Sequence, residues 1–428
     1  MASAGPSTDE SGPHESGPQT SGPQTSGRAA FVLAPFRGLR FDEAQVGDLG
    51  SVISPPYDVL DADIVRDLEA ANRHNIVRLI LARGYERPYL AVRKRLGRWR
   101  EKALLRPDTA AGLYVYQYVA DGVSVRGLIG VVALRGEAER VILPHEHTMP
   151  GPVEDRTALM RTTETNLEPI LLVHEGTQRL RDLLADFVHA PPLADFTALD
   201  GSRHQLWQIA DPGALAAVAD ELVATQALIA DGHHRYAAYL TLQADRRDPG
   251  AAEATSPWDY GLALLVDQGD CPLRVGSIHR SVTALTMSDI AELAADRGDE
   301  LVSCPDREAA FAGLGDHADD QFACFVVSDG RQWAVLVTKR SHLVDAAVLH
   351  EDLFASWQVA EDQVGYHHNL DQALHTTARA PGIVIAVQPP TLRQVMDAAE
   401  RGIRMPRKTT SFTPKPRMGV VMRDLRDS

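Results

Sequence analysis

Residues 228–240 read LIADGHHRYAAYL, and the types in the middle of that stretch are those that hold anions and move protons. Ala227, Leu228, Ile229 and Ala230 form an apolar run that breaks at Asp231 and Gly232. His233, His234 and Arg235 follow at once, and residues 236–240 have helix-forming composition. The pattern predicts a strand, a glycine turn and a helix whose first turn is polar. A helix N-terminus presents unpaired N–H groups and a partial positive charge, so it is a natural seat for an anion. Gly232 would let the backbone take a positive φ or approach a ligand closely. Asp231 is placed to cap the helix, and Arg235 offers a planar fork suited to phosphate or carboxylate. A capped helix with a solvated polar start would use the same residues. Three adjacent groups able to bind anions or move protons, set between two apolar runs, favour a site.

Two further stretches carry comparable chemistry. Pro144, His145, Glu146, His147 and Thr148 follow an apolar run, and Glu154, Asp155, Arg156 and Arg161 come soon after. The spacing does not match HExxH, so the usual zincin geometry is absent. Glu146 could act as general base on a hydroxyl or hold Mg²⁺ with Asp155, while Glu154 and Asp155 could equally complement a helix dipole. Near the C-terminal end, residues 405–417 read MPRKTTSFTPKPR. Cations and hydroxyls stiffened by prolines make a phosphate-clasping loop, with Arg and Lys supplying charge and Thr and Ser neutral donors. A solvated basic loop is the alternative. The apolar residues 420–422 tether the loop at its far end and favour the site.

Other candidates lie where elements meet. Arg37 and Arg40 flank a glycine after a strand-like run, and Tyr57 and Asp58 follow a double proline. Arg37, Tyr57, Asp58 and His145 are candidate substrate contacts, although Asp58 could simply cap a helix over 59–71. Residues 76–81 read as a buried strand. A helix over 86–103 follows, with Leu90, Val92, Leu96 and Trp99 inward and a solvated basic face. Residues 113–119 and 123–134 alternate around Asp121-Gly122, a hairpin signal, with Tyr114, Tyr116 and Tyr118 on one packed face. His279-Arg280 at a strand exit and the His367-His368 pair stay open, since a transition-metal site needs a third ligand fixed in space.

The whole chain sets the bounds. Its 428 residues, 44% hydrophobic, suffice for two or three domains. Residues 1–27 repeat SGPHE, SGPQT, SGPQT without apolar anchors and read as a disordered tail. The expected regions are 28–240, carrying the HEHT, EDR and DGHHR motifs, and 241–428, ending in the basic loop. Three cysteines without a CxxC, no apolar run long enough to span a membrane and no secretory pattern fit a cytoplasmic protein. A net charge of −15 argues against broad nucleic-acid binding. Strands, hairpins and helices alternate without a regular βαβ rhythm, so the fold class is mixed α/β. Neither a Walker A motif nor a GxGxxG loop is present.

In order along the chain, PFRGLRF (35–41), SPPYDV (54–59), HEHT with EDR (145–156), ADGHHRYAA (230–238) and KTTSFTPKP (408–416) resemble the family catalogued as domain of unknown function 1015. These landmarks span 31–422. The DGHHR core also looks like the phosphate loop of the ParB/sulfiredoxin superfamily, which includes free-serine kinases using ADP, and a pyrophosphate-dependent serine kinase resembles the same family. The resemblance implies a ParB/sulfiredoxin-like phosphate-binding core embedded in a larger mixed-sheet protein. It implies a small-molecule kinase moving a phosphoryl group from pyrophosphate or a nucleotide to a hydroxyl acceptor, with free L-serine the leading acceptor and Mg²⁺ the expected cofactor. Glu146, Asp231 and His234 would then be catalytic. Gly232, His233, Arg235, Arg156, Lys408, Thr410, Ser411 and Lys415 would bind phosphate, and Asp155 would bind the metal. The sulfiredoxin cysteine has no match, since His233 stands before the His-Arg pair, so sulfinic acid reduction is not expected. A non-catalytic nucleotide-binding module and a phosphohydrolase are the alternatives.

Overall fold

A computed structural model describes residues 29–81, 86–246, 256–283, 285–316, 321–379 and 381–427. The expected tail lies outside them. The largest element is a nine-stranded mixed sheet. Its path runs Ile142–Leu143, Ala227–Asp231, Ile170–His174, Tyr260–Asp267, Val123–Ala133, Leu113–Ala120, Arg203–Ile209 and Ala194–Thr197, and Leu33–Ala34 pairs beside Val123–Ala133. Asp121 (φ 52) and Gly122 (φ 72) close the central hairpin, since left-handed residues at both turn positions match the right-handed strand twist. The sheet draws strands from both sides of residue 240. A six-stranded antiparallel sheet is built wholly from residues 279–386.

Strand alternation assigns the two faces of the large sheet. Ala227 and Ile229 join the core that buries Leu180, Leu184, Val218, Leu222, Tyr236 and Tyr239 from the helices Gln178–Phe187, Pro212–Leu222 and His233–Arg246. Leu228 and Ala230 face the opposite core, with Tyr114, Tyr116 and Tyr118, and there the cover comes from Met405, Phe412, Val420 and Val421. The C-terminal segment therefore lies against the sheet beside the exit of strand Ala227–Asp231. It also adds Met422–Asp424 to Gly38–Phe41, so sequence-distant ends share one small sheet.

Local readings needed revision in several places. Residues 76–81 are no strand: a short helix spans Val77–Ile80, its apolar side chains buried, because a brief apolar run fits either period. The helix expected over 59–71 begins at Ala62 and is capped by Asp61, whose carboxylate accepts from the N–H groups of Asp63 and Ile64. Leu90 points outward from the helix Pro88–Glu101, at 43% exposure, while Val92, Leu96 and Trp99 are buried. The basic loop contains a strand, Thr410–Thr413, paired antiparallel with Arg274–Ser277. Among the described residues no helix is long and apolar enough to cross a membrane.

Candidate active site

Strand Ala227–Asp231 ends at the edge of a polar cleft, and helix His233–Arg246 starts in its wall. Gly232 makes the corner at φ +97. A Cβ there would fall 2.9 Å from Ile170 Cγ2 and 3.1 Å from Arg235 Nε, so the tight turn and the close guanidinium both require glycine. Asp231 does not serve as a helix cap. Its carboxylate pairs with Arg235 one turn on and accepts from Lys415 Nζ at 2.7 Å, a partner 184 positions away. Burial would raise the Asp231 pKa, but Lys415 and Arg235 hold it well below the usual carboxylate range. Arg235 is itself buried, donating to the Pro169 carbonyl and lying 3.5 Å from Glu168.

Glu146 faces this assembly from the HEHT stretch. Its carboxylate accepts from the backbone N–H groups of Lys408, Thr409 and Thr410 at 3.1, 3.1 and 2.7 Å, and from the Thr410 hydroxyl at 2.8 Å. Lys408 adopts φ +57, a left-handed conformation uncommon outside glycine, and that turn lets successive N–H groups converge on one anion. The loop is thus a backbone anion nest, and the anion in it is the chain's own carboxylate. Burial would raise the Glu146 pKa, but the hydrogen bonding of neighbouring His145 and of the Thr410 hydroxyl holds it well below the usual carboxylate range. So strongly stabilised a carboxylate is a clamp for the loop and a weak proton acceptor.

The histidines divide their work by which nitrogen is engaged. His145 is fully buried, its Nε2 2.8 Å from Thr410 Oγ1, and its ring packs edge-on against His233 at 4.6 Å. His233 Nε2 accepts from the backbone N–H of His145 at 3.3 Å, and His234 Nε2 accepts from that of Met149 at 3.0 Å. Each acceptor nitrogen must be unprotonated, which leaves Nδ1–H as the donor on both rings. Burial is the main cause that keeps them neutral. It takes His233 down to about 3, with His145 adding to the shift, and it lowers His234 together with Lys408.

The three stretches singled out in the sequence therefore meet. Tyr57, Glu146, Asp231, Gly232, His233, His234, Arg235, Lys408, Thr410 and Lys415 all line the cleft. Ser411 stands just behind it, 3.1 Å from His368 Nδ1. Arg156 supports the wall: its guanidinium lies 4.7 Å over the Tyr57 ring and reaches Glu168 at 3.4 Å. Asp155 is not brought to Glu146. It pairs with Arg156 and accepts from the Tyr89 hydroxyl at 2.7 Å. Arg37 lies elsewhere, exposed and donating to the Asp108 carbonyl. The side chain of Asp58 is outside the described residues. Sequence reasoning missed His147, Met149, Ile278, His368 and Arg407 as lining residues. His368 was visible only as half of an HH pair, and Arg407 only as one more cation in the basic loop.

Among the described residues no cluster of three or more His, Cys, Asp or Glu side chains could hold a metal ion. Both carboxylates of the cleft already accept from protein donors and no third carboxylate lines it among the described residues, so this donor set does not fit a resident magnesium.

A family model described as Protein of unknown function (DUF1015) matches residues 33–361. No curated protein matches the chain. Solved structures with similarity include a free serine kinase in complex with AMP, at 15% identity and TM-score 0.37, covering 68% of this chain and 88% of that one. A conserved hypothetical protein from Pyrococcus furiosus gives 15% and 0.37, covering 70% and 96%. SbnI from Staphylococcus aureus, truncated at its C-terminus, gives 12% and 0.37, covering 68% and 84%.

Proposed function

The chain belongs to the DUF1015 family, and on that premise we propose that its cleft seats a phosphorylated small molecule and passes the phosphoryl group to a hydroxyl acceptor. One observation carries the reading. The cleft is lined by four cations, Arg235, Arg407, Lys408 and Lys415, against two carboxylates, Glu146 and Asp231, on a chain whose net charge is −15. A local positive excess at a helix N-terminus, with neutral imidazole N–H donors beside it, suits a polyanion.

Phosphoryl transfer asks the protein mainly for positioning and charge neutralisation. In the proposed arrangement Lys408, whose ammonium makes no ion pair among the described residues, meets the phosphoryl oxygens together with Lys415 and the first N–H groups of helix His233–Arg246. His233 and His234 donate through Nδ1. Asp231 accepts the acceptor's hydroxyl proton as Lys415 turns toward phosphate, and Glu146 keeps the 408–410 loop in place. Pyrophosphate or a nucleotide is the proposed donor and free L-serine the proposed acceptor. A magnesium ion, if the reaction uses one, is proposed to arrive on the donor's phosphates. No step is assigned to it.

A second reading has its own support. Both carboxylates are held ionised by strong partners, which suits a module that binds phosphate without turning it over. Purified protein incubated with Mg²⁺, serine and either pyrophosphate or ATP, followed by phosphorus NMR, separates the possibilities. Phosphoserine supports the kinase. Phosphate released without serine supports a hydrolase, and saturable binding without turnover supports the module.

A further inference from the structure

Arg280 lies in strand His279–Val282 of the six-stranded sheet and is fully buried. Its Nε donates to His350 Nε2 at 2.8 Å, one terminal nitrogen donates to the Ile278 carbonyl, and the guanidinium sits 4.6 Å over the Tyr366 ring. Among the described residues the other terminal nitrogen has no hydrogen-bond partner and no carboxylate forms an ion pair with the group, although Glu146 and Glu361 act on it electrostatically from further off. Burial lowers its pKa to about 10, still charged at neutral pH. His350, in the π-helical turn Val348–Phe354, is kept neutral by burial, at about 3, so it shares none of the charge. The nearby Glu361 is engaged: it accepts from the Tyr366 hydroxyl and pairs with Arg407, each at 2.7 Å.

A buried cation without a counter-charge is costly, and proteins rarely keep one unless something pairs with it. Arg156 and Arg235 are matched by carboxylates. Arg280 is not, and it stands directly behind the cleft. Ile278, whose carbonyl it grips, lines the cleft, and so does Arg407, which Tyr366 and Glu361 link to the Arg280 guanidinium. The Glu146 carboxylate acts on it electrostatically from the cleft side.

We propose that Arg280 is a fixed cation behind the Ile278 wall whose missing counter-charge is a polyanionic ligand in the cleft, a diphosphate rather than a monoanion. The inference rests on the anion reading of the cleft. Arg280 acts through the field it sets up and through Ile278, so it is a positioning residue and touches no reacting atom. Its effect grows with ligand charge, because a unit charge in a poorly solvated setting interacts in proportion to the charge it faces.

Calorimetric titration of inorganic pyrophosphate and of orthophosphate into wild type, Arg280→Gln and Arg280→Lys tests this at low and moderate salt. Arg280→Gln is expected to weaken pyrophosphate about tenfold and orthophosphate about threefold, with Arg280→Lys within about threefold of wild type for both. A purely packing role would move both ligands equally and would not be rescued by lysine. If Arg280→Gln does not fold, Arg280→Lys decides alone: near-wild-type pyrophosphate affinity supports the inference, and a tenfold or larger loss overturns it. Equal affinities in all three proteins remove the Arg280 inference and leave the cleft reading standing. A wild type that binds neither anion removes both.

Discussion

Two aspartates are each held by a cation from one short run of chain, yet they sit in opposite kinds of place. Lys415 reaches Asp231 at the mouth of the cleft, and Arg417, two residues on, reaches Asp200. Around Asp200 the chemistry looks equally rich. The Ser202 hydroxyl donates to Asp200 at 2.6 Å, His204 Nε2 lies 2.8 Å from that hydroxyl, and the Tyr116 hydroxyl lies 2.8 Å from His204 Nδ1. Since Ser202 donates to Asp200, it must accept from His204, which leaves His204 Nδ1 to accept from Tyr116. Every hydrogen is committed to a neighbour, and Tyr116, His204 and Phe196 stack against one another. The Tyr118 hydroxyl adds a bond to the Pro414 carbonyl at 2.7 Å. This second cluster has the residue types of a catalytic site, but its hydroxyl and imidazole hydrogens are all spent within it. It fixes the strand and turn from which Lys415 is presented. The Asp231 group lines a cleft, whereas the Asp200 group satisfies its donors within itself, and residue type alone does not report that difference.

The largest expected effect strikes both regions. His174, His204 and His279 are lowered by burial to about 4, and His233 and His350 to about 3. Below the ordinary histidine value the unfolded chain takes up protons that the folded chain refuses. Stability is thus full above about pH 6.5 and falls as pH drops toward 4, each histidine contributing up to about 1.4 kcal/mol per pH unit. Thermal unfolding followed by circular dichroism at a series of pH values reads this directly. A melting temperature flat from pH 7 to 4.5 would show that these rings are already charged in the folded protein.

Lys415→Ala breaks the cleft side. It is expected to lower turnover, or pyrophosphate affinity if the protein only binds, by about 100-fold or more. Glu146→Gln attacks the clamp between the cleft and its loop. The amide keeps one acceptor oxygen but sets an NH₂ against N–H donors, so about 10- to 100-fold of binding and about 1–3 kcal/mol of stability should go. Tyr116→Phe probes the closed cluster, where the expected pattern reverses. His204 Nδ1 loses its donor for about 1–3 kcal/mol by urea unfolding, and pyrophosphate affinity holds within about threefold. A Tyr116→Phe protein of normal stability and lost affinity would erase the distinction between the two regions. The smallest effect belongs to Asp155→Asn, expected within about threefold of wild-type activity because Asp155 serves Tyr89 and Arg156. Collapse of activity there, restored by added magnesium, would return Asp155 to the chemistry.

Much of the architecture was legible locally. The Asp121-Gly122 hairpin and the strand-turn-helix at 227–246 are written in neighbouring residues, because their periodicity and turn chemistry need no partner. The short helix Val77–Ile80 was not, since three apolar residues around Arg78 carry no decisive period. Members of the site could be named because anion-binding types cluster in three stretches. Their pairings could not, as Glu146 meets residues 262 to 264 positions away and Asp231 meets Lys415 across 184. Those contacts follow from sheet order and from the C-terminal segment lying on one face. Asp155 shows the reverse error: a carboxylate near a motif in sequence, turned by its helix toward a tyrosine and an arginine. Arg280 was readable only as a cation at a strand exit, and its lack of an ion pair among the described residues is a tertiary fact.

The central claim is that the cleft between Asp231, Lys408 and Lys415 seats a phosphoryl-bearing anion. A crystal structure of the protein soaked with pyrophosphate tests it most directly. The expected result places phosphoryl oxygens within hydrogen-bond reach of the Lys408 and Lys415 ammonium groups and the N–H groups at His233 and His234. An anion bound elsewhere on the surface, with Lys415 still on Asp231 and the cleft filled only by water, would contradict it.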